Sequence, residues 1–329
     1  MKTKIAINGF GRIGRAVFRI LENNTNIEVV AINDLSSTNT MAHLLKYDSV
    51  HGIAKSAIIV DGEEIGFGVQ KSKIIHEKNI ESLPWKILGI DIVLECTGLF
   101  LTTESSQKHI ASGAKKVILS APPKDNNIKT IVLGVNNSIL VGDETIISNA
   151  SCTTNSAAPM LKVLDDAFGV ESAYISTIHS YTSDQRLQDA PHHDLRRARA
   201  AAISIIPTTT GAAKALGKIF PSLEGKLGGG GIRVPVPDGS LTDITCRLKK
   251  QTTVEEINSK FLEASQNQLK GILQYTNEPI VSVDVIGNPH SCLFDSELTA
   301  IVGDMVKVVG WYDNEIGYSN RLVDLIGVY

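Results

Sequence analysis

A glycine-rich turn near the amino terminus constrains the fold of this chain more than any other feature. Before it, the apolar run from Lys4 to Asn8 predicts a buried strand, and after it apolar residues recur at helical spacing as far as Leu21. The turn itself reads Gly9-Phe10-Gly11-Arg12-Ile13-Gly14. Glycines there let the backbone approach a pyrophosphate, and the helix start supplies positive dipole. A lone motif of this kind is weak evidence, but with a strand before it and a helix after it the motif predicts dinucleotide binding.

A carboxylate strengthens this prediction. The second predicted strand, Ile27 to Ile32, ends in Asn33-Asp34, and Asp34 lies 20 residues after Gly14. A dinucleotide fold places the carboxylate that binds the adenosine ribose at this distance. Without the glycines, a turn residue closing a strand would be the better interpretation of Asp34. With them, Asp34 favours NAD over NADP, because it accepts hydrogen bonds from a 2′-hydroxyl and repels a 2′-phosphate.

The fold class follows from how the patterns change along the chain. Up to about residue 150, strand and helix patterns alternate, with strands expected at 91–95, 116–120, 130–135 and 145–147 and a hairpin insertion within 55–75. We therefore expect an α/β fold with a doubly wound, Rossmann-like parallel sheet in 1–150, joined by a C-terminal helix at about 316–329. Longer β runs in 151–315 predict an α+β catalytic domain with a largely antiparallel sheet.

Composition excludes several classes of function. The 329 residues carry 32 Lys and Arg against 35 Asp and Glu, a balance too close to neutral to favour nucleic acid or a membrane surface as partner. No apolar run approaches the ~18 residues of a membrane span, and Met1 to Lys4 lead into the first strand without a signal peptide. The cysteines form no C-x-x-C pair and lie far apart, at Cys96, Cys152, Cys246 and Cys292. We expect free thiols in the cytoplasm and no metal site.

One cysteine stands where a helix is expected to begin. A short β run at 145–147 leads into Ser148-Asn149-Ala150-Ser151-Cys152-Thr153-Thr154-Asn155, and a helix is predicted from Ala157 to Ala167. The dipole of a helix start favours thiolate over thiol, and its backbone N–H groups can hold an anion. A Ser-capped helix with a buried cysteine is the alternative for an isolated S-x-C. By contrast, Cys246 alternates with polar residues along 242–248 and is predicted to lie in the core, and Cys96 is expected to be a small buried residue.

A histidine is the candidate partner of this cysteine. His179 ends a predicted strand, Ser172 to His179, 27 residues after Cys152. On its own, a histidine at a strand end is more often a structural hydrogen-bonding group, by roughly three to one. A cysteine at a helix start changes that balance, because an imidazole can activate the thiol and shuttle a proton.

Three further segments offer places for anions. The polar loop from Tyr181 to Ala202 contains Arg196, Arg197 and Arg199, which suit either an anion-binding strip or Arg–carboxylate pairs at a subunit contact; we favour the pairs. Its two histidines beside an aspartate lack the spacing of metal ligands. Thr210-Gly211 precede a helix, which gives a second anion-binding geometry. Arg233 follows four glycines in an apolar strand and requires an anionic partner if it is buried.

The whole chain resembles one family. Its separated segments are similar to those of the phosphorylating glyceraldehyde-3-phosphate dehydrogenases, in one order: Gly9 to Gly14, Glu95 to Gly98 with Ser120 to Pro122, Ser148 to Asn155, Thr177 to Asp184, Ile205 to Lys214 with Gly228 to Pro235, and Trp311 to Arg321. The chain departs from the family pattern in three places. Ser156 stands where many members carry a second cysteine, Ile316 replaces a tryptophan, and Lys78-Asn79-Ile80 replace an Arg-Asp-Pro beside the adenine.

The resemblance implies roles for particular residues. Cys152 would be the nucleophile and His179 the proton-transfer group. Thr182, Asp184 and Arg233 would hold the phosphate of the substrate, with Asp184 orienting Arg233. Ser151, Thr153, Thr210 and Gly211 would hold the attacking phosphate. NAD would contact the glycine loop (Gly9, Phe10, Gly11, Arg12, Ile13 and Gly14), Asp34, Lys78, Thr97, Ser120, Asn314 and Tyr318. The polar loop resembles the one that packs against a neighbouring subunit near its cofactor, so a homotetramer is expected.

Two alternatives stay open. An erythrose-4-phosphate dehydrogenase shares most of these segments but needs no tight second phosphate pocket, and the Thr209-Thr210-Gly211-Ala212-Ala213 segment favours the phosphorylating enzyme. A cofactor-binding interaction protein without catalysis is the other alternative. Its expected loss of a reactive thiol is testable by labelling Cys152 at neutral pH.

Overall fold

The computed structural model describes residues 2–68 and 70–329, and these form two compact units. Unit 1 comprises Met1–Ile131, Ser138–Ala150 and Ser319–Tyr329, and unit 2 comprises Val132–Asn137 and Ser151–Tyr318. Within the described ranges, no helix combines the length and the apolar character that crossing a membrane requires.

Unit 1 is built on a doubly wound sheet. Its strands are β1 (Thr3–Asn8), β2 (Ile27–Asn33), β5 (Ile58–Val60), β6 (Glu64–Phe67), β7 (Gln70–Ile75), β8 (Ile92–Glu95), β9 (Lys116–Leu119), β10 (Lys129–Thr130) and β11 (Ile146–Ser148); a separate small ladder pairs β3 (Tyr47–Asp48) with β4 (Gly52–Ile53). Across the sheet the order is β10-β11-β9-β8-β1-β2-β7-β6-β5. All neighbours are parallel except β5 with β6 and β6 with β7, which form the expected hairpin. The order reverses beside β1, where such folds bind their ligand.

Four helices belong to the first part of the chain: α1 (Arg12–Ile20), α2 (Thr38–Lys46), α3 (Trp85–Leu88) and α4 (Thr103–Ala111). Helix α2 begins at Thr38 because the Ser37 side chain caps it by accepting a hydrogen bond from Thr40 N. The core beneath them is apolar and centres on the fully buried Trp85, Val93 and Val117.

One predicted strand is shorter in the structure than the sequence indicated, so this prediction was wrong in its length. A strand was expected at 130–135, but only Lys129 and Thr130 pair, with β11. Beyond Ile131 the chain turns: Val132 N donates to Asn136 Oδ1 at 2.7 Å and Val135 N donates to Val132 O at 3.1 Å. The apolar residues Val132 and Leu133 are buried in this turn and not in a ladder, which apolar pattern alone does not distinguish.

Unit 2 contains a mixed, largely antiparallel sheet. Its strands are β12 (Val170–Ser180), β13 (Ile206–Thr208), β14 (Leu227–Val234), β15 (Ser240–Leu248), β16 (Leu273–Thr276), β17 (Cys292–Val302) and β18 (Met305–Tyr312). The order is β13-β14-β12-β15-β18-β17-β16, and only β12 with β14 and β16 with β17 are parallel. Its helices are α5 (Cys152–Phe168), α6 (Ala212–Ile219) and α7 (Val254–Gln266); the last helix of the chain is α8 (Ile316–Val328).

The glycine run lies inside a strand and does not precede one. Gly228 to Gly231 belong to β14 and pair with β12. A Cβ at Gly228 would meet the Tyr174 ring at 2.9 Å, and one at Gly229 would meet Ala213 Cβ at 3.1 Å. Glycine is therefore needed for close packing against a neighbouring strand and helix.

Other local predictions for unit 2 are confirmed. Thr253 and Glu256 form the capping box at the start of α7. Cys246 is 3% exposed on the core side of β15. In unit 1, by contrast, Cys96 was expected to be buried and is only partly so.

Candidate active site

The cysteine lies at the first position of α5, five residues earlier than the helix was expected. Ser151 is the N-cap, and its hydroxyl accepts a hydrogen bond from Thr154 N at 3.1 Å. Ala150, just before it, has a left-handed backbone with φ 59°, an unfavourable conformation for alanine. This tight turn places Cys152 where the N–H groups of the first helical turn are directed.

His179 follows Cys152 by 27 residues in the sequence and lies beside it in the structure. The Sγ atom of Cys152 lies 3.4 Å from Nε2 of His179, which stands near the end of β12 and is 5% exposed. The ring packs edge-on to Tyr312, with the ring centroids 6.0 Å apart. The structure therefore brings together the two side chains that the sequence proposed as a nucleophile and its base.

Sheet register places an arginine on the other side of the imidazole. Arg233 on β14 is the register partner of His179 on β12. Its Nη1 lies 2.6 Å from His179 Nδ1 and donates to Ser180 O at 2.9 Å. The half-buried guanidinium thus contacts the histidine that contacts the cysteine.

Burial disfavours the charged form of both members of this pair. Burial raises the pKa of Cys152 to about 11, although Arg233 and hydrogen bonds from Thr153 act in the opposite direction. Burial and then the positive charge of Arg233 lower the pKa of His179 to about 3. Burial raises the pKa of each remaining cysteine, Cys96, Cys246 and Cys292, to about 12. Burial thus favours the thiol over the thiolate at Cys152, and only there do Arg233 and Thr153 oppose it.

Asp184 does not pair with Arg233 as expected. Its Oδ2 accepts from Arg197 Nη1 at 2.6 Å, and Arg197 Nε also donates to Thr208 Oγ1 at 3.0 Å. Arg199 pairs with Asp189 at 2.9 Å. The Arg–carboxylate pairs predicted for the polar loop are present, and the sequence analysis did not single out Arg197 as the partner of Asp184.

The other anion candidates occupy two helix starts and the end of a strand. At α6, Gly211 is the N-cap residue, and Thr210 Oγ1 accepts from Ala212 N at 3.2 Å. Thr182 follows β12 and is partly exposed. Thr153 is buried, and its hydroxyl lies 3.0 Å from the Tyr312 hydroxyl, which also contacts Thr177 Oγ1 at 2.9 Å. Tyr312 is a residue that sequence reasoning missed, because no local pattern links it to position 153.

The glycine loop of unit 1 has the close backbone packing and the open space that binding of a dinucleotide requires. A Cβ at Gly9, where φ is +96°, would meet Thr97 N at 2.8 Å, and one at Gly14 would collide with Gly9 O. A Cβ at Gly11 would meet nothing within 4 Å, so this glycine leaves open space at the α1 start. The helix has no side-chain cap, which leaves its first N–H groups to a ligand.

Asp34 adjoins the loop. Its Oδ2 accepts from Phe10 N and its Oδ1 from Ser36 N, each at 2.8 Å. Burial alone would raise the pKa of Asp34, but these backbone hydrogen bonds outweigh it and lower the pKa below its usual value. The carboxylate is therefore charged at neutral pH, as discrimination against a 2′-phosphate requires.

The remaining unit 1 candidates lie at strand ends. Thr97 follows β8, and both its N and its Oγ1 donate to Glu95 Oε1, whose side chain is fully buried. Ser120 follows β9. Lys78 is exposed beyond β7. In the loop, Arg12 pairs with Asp48 at 2.6 Å, Phe10 is buried against Phe18, and Ile13 is partly buried.

Two candidates lie near the end of unit 2. Asn314 is buried, and its Oδ1 accepts from Ser180 Oγ at 2.9 Å and Ser240 Oγ at 2.6 Å. Tyr318 is buried in α8.

Family models match both parts of the chain. Residues 3–103 match the NAD binding domain of glyceraldehyde 3-phosphate dehydrogenase, and residues 151–314 match its C-terminal domain. The chain belongs to the glyceraldehyde-3-phosphate dehydrogenase family.

Relatives in this family align over almost their whole length. A glyceraldehyde-3-phosphate dehydrogenase of Mycobacterium avium is 52% identical over 335 residues, covering 100% of this chain and 98% of the relative. One from Mycobacterium tuberculosis strain H37Rv is 52% identical, with 99% and 98% covered. Glyceraldehyde-3-phosphate dehydrogenase 2 of Streptomyces avermitilis shows the same identity and coverage.

Proposed function

We propose that this chain oxidises D-glyceraldehyde 3-phosphate to 1,3-bisphosphoglycerate, with NAD as hydride acceptor and inorganic phosphate as second substrate. Glyceraldehyde 3-phosphate is named by the relatives, and NAD by the amino-terminal family model. The observation that carries the assignment is the 3.4 Å approach of Cys152 Sγ to His179 Nε2 at a helix start.

The chemistry begins at sulfur. Cys152 attacks the aldehyde carbon, its proton passing through His179 to the carbonyl oxygen, and a hemithioacetal forms. His179 Nε2 then removes the hydroxyl proton as hydride leaves the same carbon, which leaves a thioester. When bound, NAD supplies the acceptor for that hydride.

Phosphate completes the reaction. An oxygen of inorganic phosphate attacks the thioester carbon, the C–S bond breaks, and the acyl phosphate departs. The imidazolium of His179 stabilises the thiolate that is released and returns its proton. Hydrogen bonds from Thr153 to the sulfur assist, since they already act to lower the pKa of Cys152.

The reaction needs one site for the phosphate of the substrate and another for the attacking phosphate. We assign the candidate residues to these two sites. We assign the substrate phosphate to Thr182 and Arg233, with Asp184 acting through its ion pair with Arg197. Ser151, Thr153, Thr210 and Gly211, at the starts of α5 and α6, are assigned to the attacking phosphate.

We assign NAD to the glycine loop and to the other cofactor candidates that the family resemblance implies. The backbone of Gly9 to Gly14 would face the pyrophosphate, Asp34 the adenosine ribose, Lys78 the adenine, and Thr97, Ser120, Asn314 and Tyr318 the nicotinamide side. We propose residues 1–150 with the C-terminal helix as the NAD-binding domain and 151–315 as the catalytic domain.

The decisive assay follows NADH formation from glyceraldehyde 3-phosphate with and without phosphate. We expect sustained turnover with phosphate and, without it, a burst limited to about one NADH per subunit as thioester accumulates. Equal sustained rates with erythrose 4-phosphate would favour the alternative enzyme. The absence of any burst would contradict catalysis.

We further propose a homotetramer in the cytoplasm. Leu187 and Leu195 of the polar loop and Ile203 just beyond it are 77%, 81% and 84% exposed, and a contact with another subunit would bury these apolar side chains. All four cysteines, each within the described ranges, carry free thiols, which suits a reducing compartment. Light scattering at micromolar concentration should give the mass of four chains. A fully active monomer would contradict this proposal.

A further inference from the structure

Glu95, the last residue of β8, is a fully buried carboxylate that the proposed reaction does not use. Its Oε1 accepts hydrogen bonds from the backbone N and from the hydroxyl of Thr97, the first at 2.8 Å. Its Oε2 accepts from Asn8 Nδ2 at 2.6 Å and lies 3.0 Å from His109 Nε2. A charge this deeply buried is stable only if its surroundings donate hydrogen bonds to it.

Trp85 fixes the tautomer of His109, and both side chains are fully buried. Trp85 Nε1 can only donate and lies 3.1 Å from His109 Nδ1, so Nδ1 accepts and the ring proton is on Nε2. His109 Nε2–H therefore donates to Glu95. All four groups around the carboxylate are then donors, and a protonated carboxyl group would set its O–H against one of them. The geometry thus requires an ionised Glu95.

The Glu95 carboxylate also sets the direction of hydrogen bonds along the sheet. Because Asn8 donates its amide to Glu95, its Oδ1 is left to accept from Asn33 Nδ2 at 2.7 Å. Asn33 in turn accepts from Glu77 N and donates to Glu77 O, each at 2.9 Å. One chain of hydrogen bonds thus joins the carboxyl ends of β8, β1 and β2 to the segment after β7. Such a sheet binds its ligand at this edge.

The same carboxylate decides what Thr97 can offer to a ligand. Since the Thr97 hydroxyl donates its proton to Glu95, only its lone pairs are left, and one of them accepts from Leu99 N at 3.1 Å. Thr97 is partly exposed. A ligand can therefore bind this hydroxyl only through a donor group, such as an amide N–H or a ribose hydroxyl.

We propose that Glu95 is a positioning residue that presents the Thr97 hydroxyl as a hydrogen-bond acceptor to the nicotinamide half of NAD. The carboxamide and the ribose of that half both carry suitable donors. Glu95 does not touch the cofactor and acts through Thr97, while Trp85 and His109 together supply a donor that keeps Glu95 ionised. This inference rests on the proposed function in taking Thr97 as a cofactor contact.

The test measures binding of NAD, and of ADP, which lacks the nicotinamide half, to the complete protein by titration calorimetry. Glu95→Gln keeps the size of the side chain but replaces an acceptor oxygen with a donor, so it cannot receive all the hydrogen bonds. We expect this variant to bind NAD about tenfold more weakly and ADP within about twofold of the unmodified protein. Equal weakening of both ligands would indicate general damage to the sheet edge and would overturn the proposal, as would unchanged binding of NAD.

Substitutions at Thr97 show whether Glu95 acts through it. Thr97→Val removes the hydroxyl and should weaken NAD binding as much as Glu95→Gln does, and the double variant should lose no more than either single variant. Thr97→Ser keeps the hydroxyl and should bind NAD like the unmodified protein. Additive losses in the double variant would refute action through Thr97. Glu81→Gln, the same change at an exposed carboxylate of unit 1, is the matched control and should bind both ligands normally.

Thermal unfolding shows which of these variants are folded. If Glu95→Gln is not, the two Thr97 variants decide. Loss of NAD affinity in Thr97→Val with retention in Thr97→Ser supports the proposal, whereas normal binding by Thr97→Val, or equal loss in both variants, refutes it. Because neither aldehyde nor phosphate is present, failure here is distinct from failure of the NADH assay.

Discussion

Helices α1 and α5 each begin at a site where an anion or a reactive group is expected, but they prepare it by different means. At α1 the cap is Gly11, which has no side chain to bond to the first N–H groups, and a Cβ there would meet nothing within 4 Å. At α5 the cap is Ser151, whose hydroxyl occupies Thr154 N, and the first residue is Cys152. The start of α1 therefore presents backbone N–H groups, whereas the start of α5 presents a reactive side chain.

The difference decides how much each site depends on distant residues. A site made of backbone N–H groups needs space for the ligand. The glycines of 9–14 provide that space, and they lie close together in the sequence. A side-chain site needs partners, and Cys152 obtains His179 and Arg233 only because β12 and β14 lie in register. Substitutions should therefore act by steric effects at α1 and by loss of proton transfer at α5.

The largest effect is expected at α5. Cys152→Ser should abolish turnover, and His179→Asn should lower kcat about 10²- to 10⁴-fold, since a positioned base is removed. NAD binding, measured by fluorescence titration, should be retained in both variants. Loss of NAD affinity along with activity would show that the two helix starts are not independent.

The next effect concerns which cofactor α1 and Asp34 accept. NAD should be preferred over NADP by about 10²-fold or more in kcat/KM, because a charged carboxylate repels a 2′-phosphate. Asp34→Gly combined with Pro191→Ser should relax the preference. Leu35, which follows Asp34, and Pro191 are residues that the family resemblance implies for NAD-using members, whereas Ser36, Ser37 and Thr38 could donate hydrogen bonds to a phosphate. The structure shows Ser37 occupied as a helix cap.

Comparable kcat/KM for the two cofactors in the unmodified protein would contradict this prediction. The single variant Pro191→Ser is the control, since it leaves the carboxylate in place.

Substitutions at Gly14 and at Gly11 distinguish packing within the protein from contact with the ligand. Gly14→Ala forces a Cβ against Gly9 O and should lower the free energy of unfolding by about 1–3 kcal/mol and weaken NAD binding. Gly11→Ala should leave thermal stability nearly unchanged yet still weaken NAD binding, because its Cβ enters space left for the ligand. If Gly11→Ala binds NAD normally, the pyrophosphate does not approach that position.

The last prediction concerns oxidation: Cys152 should not form a disulfide within its own chain. Cys152 and Ser156 lie one turn apart on α5, so a second cysteine at 156 would be close enough for sulfur chemistry. Ser156 instead contacts Thr242 Oγ1 at 3.0 Å. Peroxide should oxidise Cys152 stepwise to the sulfenic acid and beyond. Mass spectrometry that finds Cys152 bridged to Cys96, Cys246 or Cys292 of the same chain would contradict this.

The sequence by itself determined the features whose interactions are local. The strand–glycine–helix unit of 3–20, the cap of α5 at Ser151 and the capping box of α7 are each set within a few residues, so composition and spacing predict them. The alternation along β15 likewise predicted that Cys246 is buried. The position of Cys152 at a helix start belongs to this group.

Only the tertiary structure decided which distant side chains meet. Asp184 pairs with Arg197 and not with Arg233, Thr153 contacts Tyr312, and Arg233 contacts His179 through the register of β12 and β14. Such contacts depend on pairing between segments far apart in the chain, and a local pattern contains no information on register.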